Sequence, residues 1–413
     1  MPSLGPGRAG CWQVVLCVAL VWGAAVPVEA ASQEAERLNE RAVALTSQGQ
    51  YEEAAALFMQ ALRLSPNDEV IRRNLSGLRT RWGHQLLRAG SLDQAQGQYQ
   101  AALELNPNES AALLGLGDVQ LRRREPRMAA ETYRQAVALD PRNPDAYIRL
   151  GEAYYHQGDL TAALSEWDRA LALRPGDGEL RKRSQEVQNE ARVQGGYRAR
   201  ESQHFTVVYE GQRREDIGRE LLQILERAYA DVGYELGAYP PYEVQVIFYS
   251  DADFRGATGV PAALVGGGFY HLLDGKIRIA LKGLTPGDPW LSSVLYHEYT
   301  HALIYAITRG NNPPRWVHEG LAVHLERQRV AQFKQEAIRR ARAGVVPALD
   351  ESPYTHGSVA IGYLVERYGM TGIQQFLRRM GEGQPFAQAL QETFRMDVAT
   401  LQQNLRDLLG RGY

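Results

Sequence analysis

The chemically suggestive residues of this chain stand close together. His297-Glu298-Tyr299-Thr300-His301 places two histidines at i and i+4. On a helix these lie on one face, one turn apart, so both imidazoles can reach a single metal ion. Glu298 sits beside them, positioned to face a water held there. Asp288 and Pro289 give the helix a cap and a first position, and Gly310 can close it. Val294, Leu295, Ala302, Leu303 and Ile304 are apolar, so this helix is predicted to be core, the rigid support that a metal site needs. Asn311-Asn312-Pro313-Pro314 then turns the chain into Arg315-Trp316-Val317-His318-Glu319-Gly320-Leu321-Ala322-Val323-His324. A short antiparallel return would bring Glu319 back as a third ligand. Two imidazoles and a carboxylate leave a fourth position for water, which is the catalytic rather than the structural arrangement of zinc, one ion per chain. His318 adjoins Glu319 and on a helix points about 100° away from it, so it is expected beside the site and not as a ligand. His324 lies off the ligand face.

His297 to His301, with Pro314-x-Trp316-x-x-Glu319-Gly320-x-Ala322, resembles the gluzincin branch of zinc metallopeptidases, specifically the peptidase MA-like domain found behind tetratricopeptide repeats. The resemblance runs from about Phe205 to Leu409. It implies a zincin-like α+β domain in which His297, His301 and Glu319 ligate zinc and Glu298 is the general base and acid for peptide-bond hydrolysis. It also points to Tyr354, in Pro353-Tyr354-Thr355-His356-Gly357-Ser358, as the donor that stabilises the oxyanion. One departure is visible: an acidic residue is expected four positions after the third ligand, to orient a histidine, and Val323 stands there. The orienting group must come from elsewhere.

The elements around the motif read as α+β. Phe205–Tyr209 and Val244–Tyr249 alternate like strands, with helical spacing between Ile217 and Val232. Asp251–Phe254 opens a short helical turn. Gly266–Tyr270 and Lys276–Leu281 suggest a hairpin turning near Asp274-Gly275, whose glycine-rich arm is either an edge strand open to substrate backbone or a tight bulge. From Asp288 the pattern is helical, and Ile361 to Leu409 reads as a small helical bundle.

The first half is a repeat array. Ala61-Leu62-Arg63-Leu64-Ser65-Pro66 recurs in kind before Pro107, Pro141 and Pro175, at spacings of 41, 34 and 34 residues. Ala54/Phe58, Ala95/Tyr99, Ala129/Tyr133 and Ala163/Trp167 repeat one register, and Gly83, Gly117 and Gly151 another. This resembles the tetratricopeptide repeat, a helix-turn-helix unit of about 34 residues. The seven extra residues, around Val70 to Gly77, lengthen a helix or a connection. Residues 34–194 are thus expected to be an all-α solenoid of four repeats and a capping helix, with a concave face for a protein partner or substrate. Gly195-Gly196 is expected to be a flexible junction, and residues 197–413 to fold and bind zinc without the repeats.

Composition narrows the alternatives. The 413 residues carry a net charge of −2, which gives no electrostatic footprint for nucleic acid. The two cysteines, Cys11 and Cys17, both lie in an apolar run from Cys11 to Val28 behind the single charge of Arg8. With small residues at Val28-Glu29-Ala30, residues 1–30 have the layout of a cleavable signal peptide. The mature chain is then expected in the periplasm or outside the cell, with no stable membrane span. An uncleaved N-terminal anchor is the alternative. Function likewise has alternatives: a non-catalytic repeat scaffold carrying a degenerate peptidase-like domain, or a zinc hydrolase acting on a non-peptide amide.

Overall fold

The computed structural model describes residues 28–411 except 212–214, 260–267, 272–273 and 282–286. The apolar run expected to be a signal peptide therefore lies outside the described residues up to 27, as do Gly266 and Gly267. Among the described residues no helix is long and apolar enough to cross a membrane. The chain divides into two compact units, residues 1–79 and 80–413.

In the first unit, α1 (Val28–Ser47) packs on α2 (Tyr51–Leu64), and α3 begins at Glu69. Phe58 is buried with Ala54 and Ala61, and Asn74 donates to Asn39 at 2.9 Å. The helix α3 (Glu69–Arg88) is 20 residues long, so the extra residues of the first spacing lengthen a helix.

The second unit continues with α4 (Leu92–Leu105), α5 (Ser110–Arg122), α6 (Pro126–Leu139), α7 (Pro144–Gln157), α8 (Leu160–Leu173) and α9 (Gly178–Gln194). The physics of the repeats is visible in the helix ends. α2, α4, α6 and α8 each stop two residues before the recurrent proline, whose ring cannot continue the hydrogen-bond ladder. The recurrent glycines make room for the aromatics. A Cβ on Gly83 would lie 2.6 Å from the Tyr99 ring, one on Gly117 2.3 Å from Tyr133, and one on Gly151 2.4 Å from Trp167. Those three rings are fully buried.

After α9 come β1 (Tyr197–Glu201), β2 (Phe205–Glu210), α10 (Glu215–Leu236), β3 (Val244–Tyr249), α11 (Asp251–Thr258), β4 (Gly268–Tyr270) and β5 (Ile277–Ala280). The sheet order is β1-β2-β3-β5-β4, with β2, β3 and β5 parallel and both outer strands antiparallel. The strand β1 was not expected. Its Arg198, Arg200 and Glu201 lack a strand's apolar alternation, and such charges suit an edge strand.

The period of two along each strand divides the sheet's faces. Phe205, Val207, Val246, Phe248, Ile277 and Ile279 face one core, shared with α10 and with α12 (Pro289–Thr308), α13 (Arg315–Glu326) and α15 (Thr355–Gly381). Helices α14 (Val330–Arg342), α16 (Phe386–Phe394) and α17 (Val398–Gly410) close that side as a helical layer. Val208, Ile247, Tyr249 and Ala280 face the other way, with Phe254 of α11 and Val193 of α9.

This second face overturns the expected flexible junction. The turn at Gly195-Gly196 leads directly from α9 into β1, and polar side chains bridge the repeats and the sheet. Gln194 donates to the Tyr249 hydroxyl at 2.9 Å, and Arg278 of β5 reaches Glu190 of α9 at 3.3 Å. Arg278 and Glu190 are both buried, so the repeats form part of this core.

Candidate metal centre

Helix α12 starts where capping chemistry dictates. The Asp288 side chain accepts from the Trp290 N–H and Pro289 occupies the first turn. It ends with Arg309 and Gly310 both left-handed, at φ 52° and 81°. Between those ends it is apolar on nearly every side, as a central helix must be. His297 and Glu298 are buried within it. Helix α13 is pressed against α15 at two glycines: a Cβ on Gly320 would lie 2.5 Å from the Gly357 carbonyl oxygen, and one on Gly357 2.6 Å from that of Trp316. This close crossing sets the height of Glu319 beside α12.

The structure brings His297, His301 and Glu319 together. One donor atom from each lies within 4.8 Å of the others. Glu319 Oε2 is 3.2 Å from His297 Nε2 and 3.5 Å from His301 Nε2. Burial pushes the Glu319 carboxylate up, but hydrogen bonds from both imidazoles outweigh it and hold the group well below the usual range. Burial pulls His297 down, and Glu319 and Glu326 more than reverse this, raising it to about 9.

The orienting carboxylate absent at Val323 is supplied by Glu326. His297 Nδ1 donates to Glu326 Oε2 at 3.2 Å, and Arg329 Nη2 donates to the same oxygen at 2.7 Å. A carboxylate only accepts, so Nδ1 carries a proton toward Glu326, and the neutral form of this imidazole is the tautomer whose Nε2 is free to ligate. Glu326 lies seven residues after Glu319, two helical turns along the same face. That spacing was the overlooked sequence signal. The donor set therefore fits zinc: two imidazole nitrogens and one carboxylate oxygen converge, and one imidazole is locked in the ligating tautomer.

Glu298 faces β4. Its carboxylate is pushed up by burial, and the Tyr270 backbone N–H faces it. A Cβ on Gly268 would stand 3.3 Å from Glu298 Cγ, so a side chain there would push Glu298 and its neighbours back by a few tenths of an ångström. Of the two readings of the glycine-rich arm, its described part is a strand: β4 is the outermost strand of the sheet. Tyr354 precedes α15 and stacks on His297, with ring centroids 6.1 Å apart and planes 16° apart. Its hydroxyl faces Arg315 and Glu319, and burial raises it to about 12. Arg315 Nε lies 3.5 Å from Glu319 Oε1. His318 is 5.5 Å from His301 between ring centroids, contributes no atom to the donor cluster, and is driven by burial to about 3, hence neutral. An open cleft of about 1000 Å³ runs over the cluster, with Gly268, Glu298, Phe333 and Tyr354 in its walls.

Comparison with known proteins recovers the first half. The tetratricopeptide repeat family matches residues 35–68, 80–126 and 114–178. No curated protein matches the chain. Among solved structures, the chain is similar to YrrB, a TPR protein with an unusual peptide-binding site, at 22% identity over 38% of this chain and 77% of that one, with a TM-score of 0.29. It is similar to MamA at 18% identity over 39% and 86%, TM-score 0.28. It is also similar to TTC0263, a thermophilic TPR protein of Thermus thermophilus, at 23% identity over 37% and 98%, TM-score 0.24. On the strength of the family match, the amino-terminal region of this chain carries tetratricopeptide repeats.

Proposed function

We propose that the chain is an exported zinc-dependent peptidase of the gluzincin, peptidase MA-like type, whose repeats recruit a protein partner or substrate. The observation that carries this reading is the convergence of His297, His301 and Glu319 within 4.8 Å, with Glu298 beside them in the wall of a cleft. When bound there, zinc supplies a Lewis acid that activates water and polarises a carbonyl. The chain's own groups complete the chemistry. The Glu298 carboxylate accepts a proton from the attacking water and delivers it to the departing amide nitrogen. Burial favours its protonated form, which suits that alternation. The Tyr354 hydroxyl and the Arg315 guanidinium are donors on the side of Glu319, placed to meet the oxygen that gains negative charge. The outermost strand β4 offers backbone groups to an extended peptide.

The test is hydrolysis of an unstructured peptide library by the full-length protein, with and without a chelator, followed by restoration with zinc. Cleavage that disappears on chelation and returns with zinc supports the reading. Absence of cleavage, or cleavage indifferent to the chelator, rejects it.

A further inference from the structure

The hairpin β4–β5 carries two different loads. Tyr270 and Gly268, on one strand, stand against Glu298. Asp274 to Lys276 and the other strand are buried, with the repeats against them. Asp274 accepts from the Tyr155 hydroxyl of α7 at 2.8 Å and from Arg278 at 2.7 and 3.2 Å. Lys276 Nζ donates to the Tyr155 carbonyl at 2.8 Å. Arg278 Nη2 lies 2.9 Å from the Tyr155 hydroxyl and 3.3 Å from Glu190. Asp274, Glu190, Lys276 and Arg278 are all buried, two charges of each sign, so the cluster is neutral only when complete. A further contact comes from the turn between α5 and α6. The Arg124 guanidinium lies 5.0 Å over the Tyr305 ring of α12, and a Cβ on Gly275 would meet it at 2.7 Å.

We propose that the repeat array is the positioning support of the catalytic hairpin: Tyr155, Glu190 and Arg124 clamp the turn Asp274–Lys276 and Arg278, and so hold Gly268 and Tyr270 against Glu298. The inference rests on the hydrolase reading for its catalytic consequence, but not for the clamp itself. A surface turn would open freely. This one has its charged groups paired to helices that lie outside the sheet, so opening it strands buried charges. Tyr155 is the keystone, because its hydroxyl lies within reach of Asp274, Glu190 and Arg278 while its ring takes the Lys276 ammonium at 4.2 Å from the centroid.

The experiment uses the zinc-loaded full-length protein, Tyr155→Phe, and Lys276→Met as a second variant that keeps the apolar stem. Amide hydrogen exchange is read on peptides covering 268–281, with the β3 peptide covering 244–249 as internal reference, alongside zinc content and steady-state kinetics. The expected result is exchange roughly tenfold faster in the hairpin alone, with zinc retained and kcat lowered more than KM is changed. Unchanged hairpin exchange in both variants overturns the clamp, and so does acceleration spread equally over β3. Faster hairpin exchange in a protein whose parent cleaves no peptide rejects the hydrolase reading and leaves the clamp standing.

Discussion

Replacing Glu326 by Gln should weaken zinc binding without unfolding the chain. In the parent, Glu326 Oε2 accepts from His297 Nδ1 and from Arg329 Nη2, and Oε1 accepts from Arg329 Nε. Glutamine keeps the shape but converts one acceptor into an NH2 donor. With its oxygen at the Oε2 position, the amide nitrogen faces Arg329 Nε–H. With its nitrogen there, it faces His297 Nδ1–H, and relief requires the imidazole to move its proton to Nε2, which then cannot ligate. Arg329 is 39% exposed, so water can satisfy it in the first arrangement, and the cost that remains is the exchange of a carboxylate for a neutral acceptor at His297 Nδ1–H. Loss of such an orienting partner weakens metal affinity by about 10–100-fold, or about 1.4–2.8 kcal/mol. The assay is competition for zinc against a chromophoric chelator, with circular dichroism to verify folding. Affinity within about twofold of the parent would refute the orienting role of Glu326.

Further outcomes follow from other contacts. Glu319→Ala should abolish stoichiometric zinc as well as activity, because a proposed ligand is removed; zinc retained in full by metal analysis would transfer the role to another residue, such as His318 beside His301. Gly117→Ala should destabilise the repeats by about 1–3 kcal/mol, since the new methyl meets the buried Tyr133 ring, and a thermal melt at the parent's temperature would contradict that packing. Burial pushes the Asp274 carboxyl up, but Arg278 and its other partners hold it well below the ordinary value. A lowered folded-state value stabilises the protein at pH above the unfolded value of about 3.9 and loses that contribution as pH falls further. The stability gap between the parent and Asp274→Asn should therefore be full near neutrality and narrow below about pH 4; a gap independent of pH would show that Asp274 is not held ionised.

What could be read from the residues depended on how local the signal was. His297 and His301 are one helical turn apart, so their meeting required only the helix. Glu319 required a turn, which Pro313-Pro314 announced, and a close crossing, which Gly320 permitted. The repeats were legible because one register recurs, and the glycines in it face the aromatics as that register implies. Glu326 was missed because the orienting carboxylate was expected at the place of Val323, although its spacing from Glu319 keeps it on the same face. The strand β1 was missed because its residues are charged. The burial of Asp274, Lys276 and Arg278 against α7 and α9 was not legible at all. Three charged residues within five positions look like a solvated turn, and their partners Tyr155 and Glu190 stand far away in sequence.

The central claim is a catalytic metal centre built by His297, His301 and Glu319 with Glu298 as its base. It is tested most directly by measuring zinc content and peptide hydrolysis together in the full-length protein and in Glu298→Gln. The account predicts about one zinc per chain in both, with hydrolysis in the parent and a loss of ~100-fold or more in the variant, since glutamine cannot accept the proton. A parent without zinc, or a variant that hydrolyses peptide at the parent's rate, would contradict it.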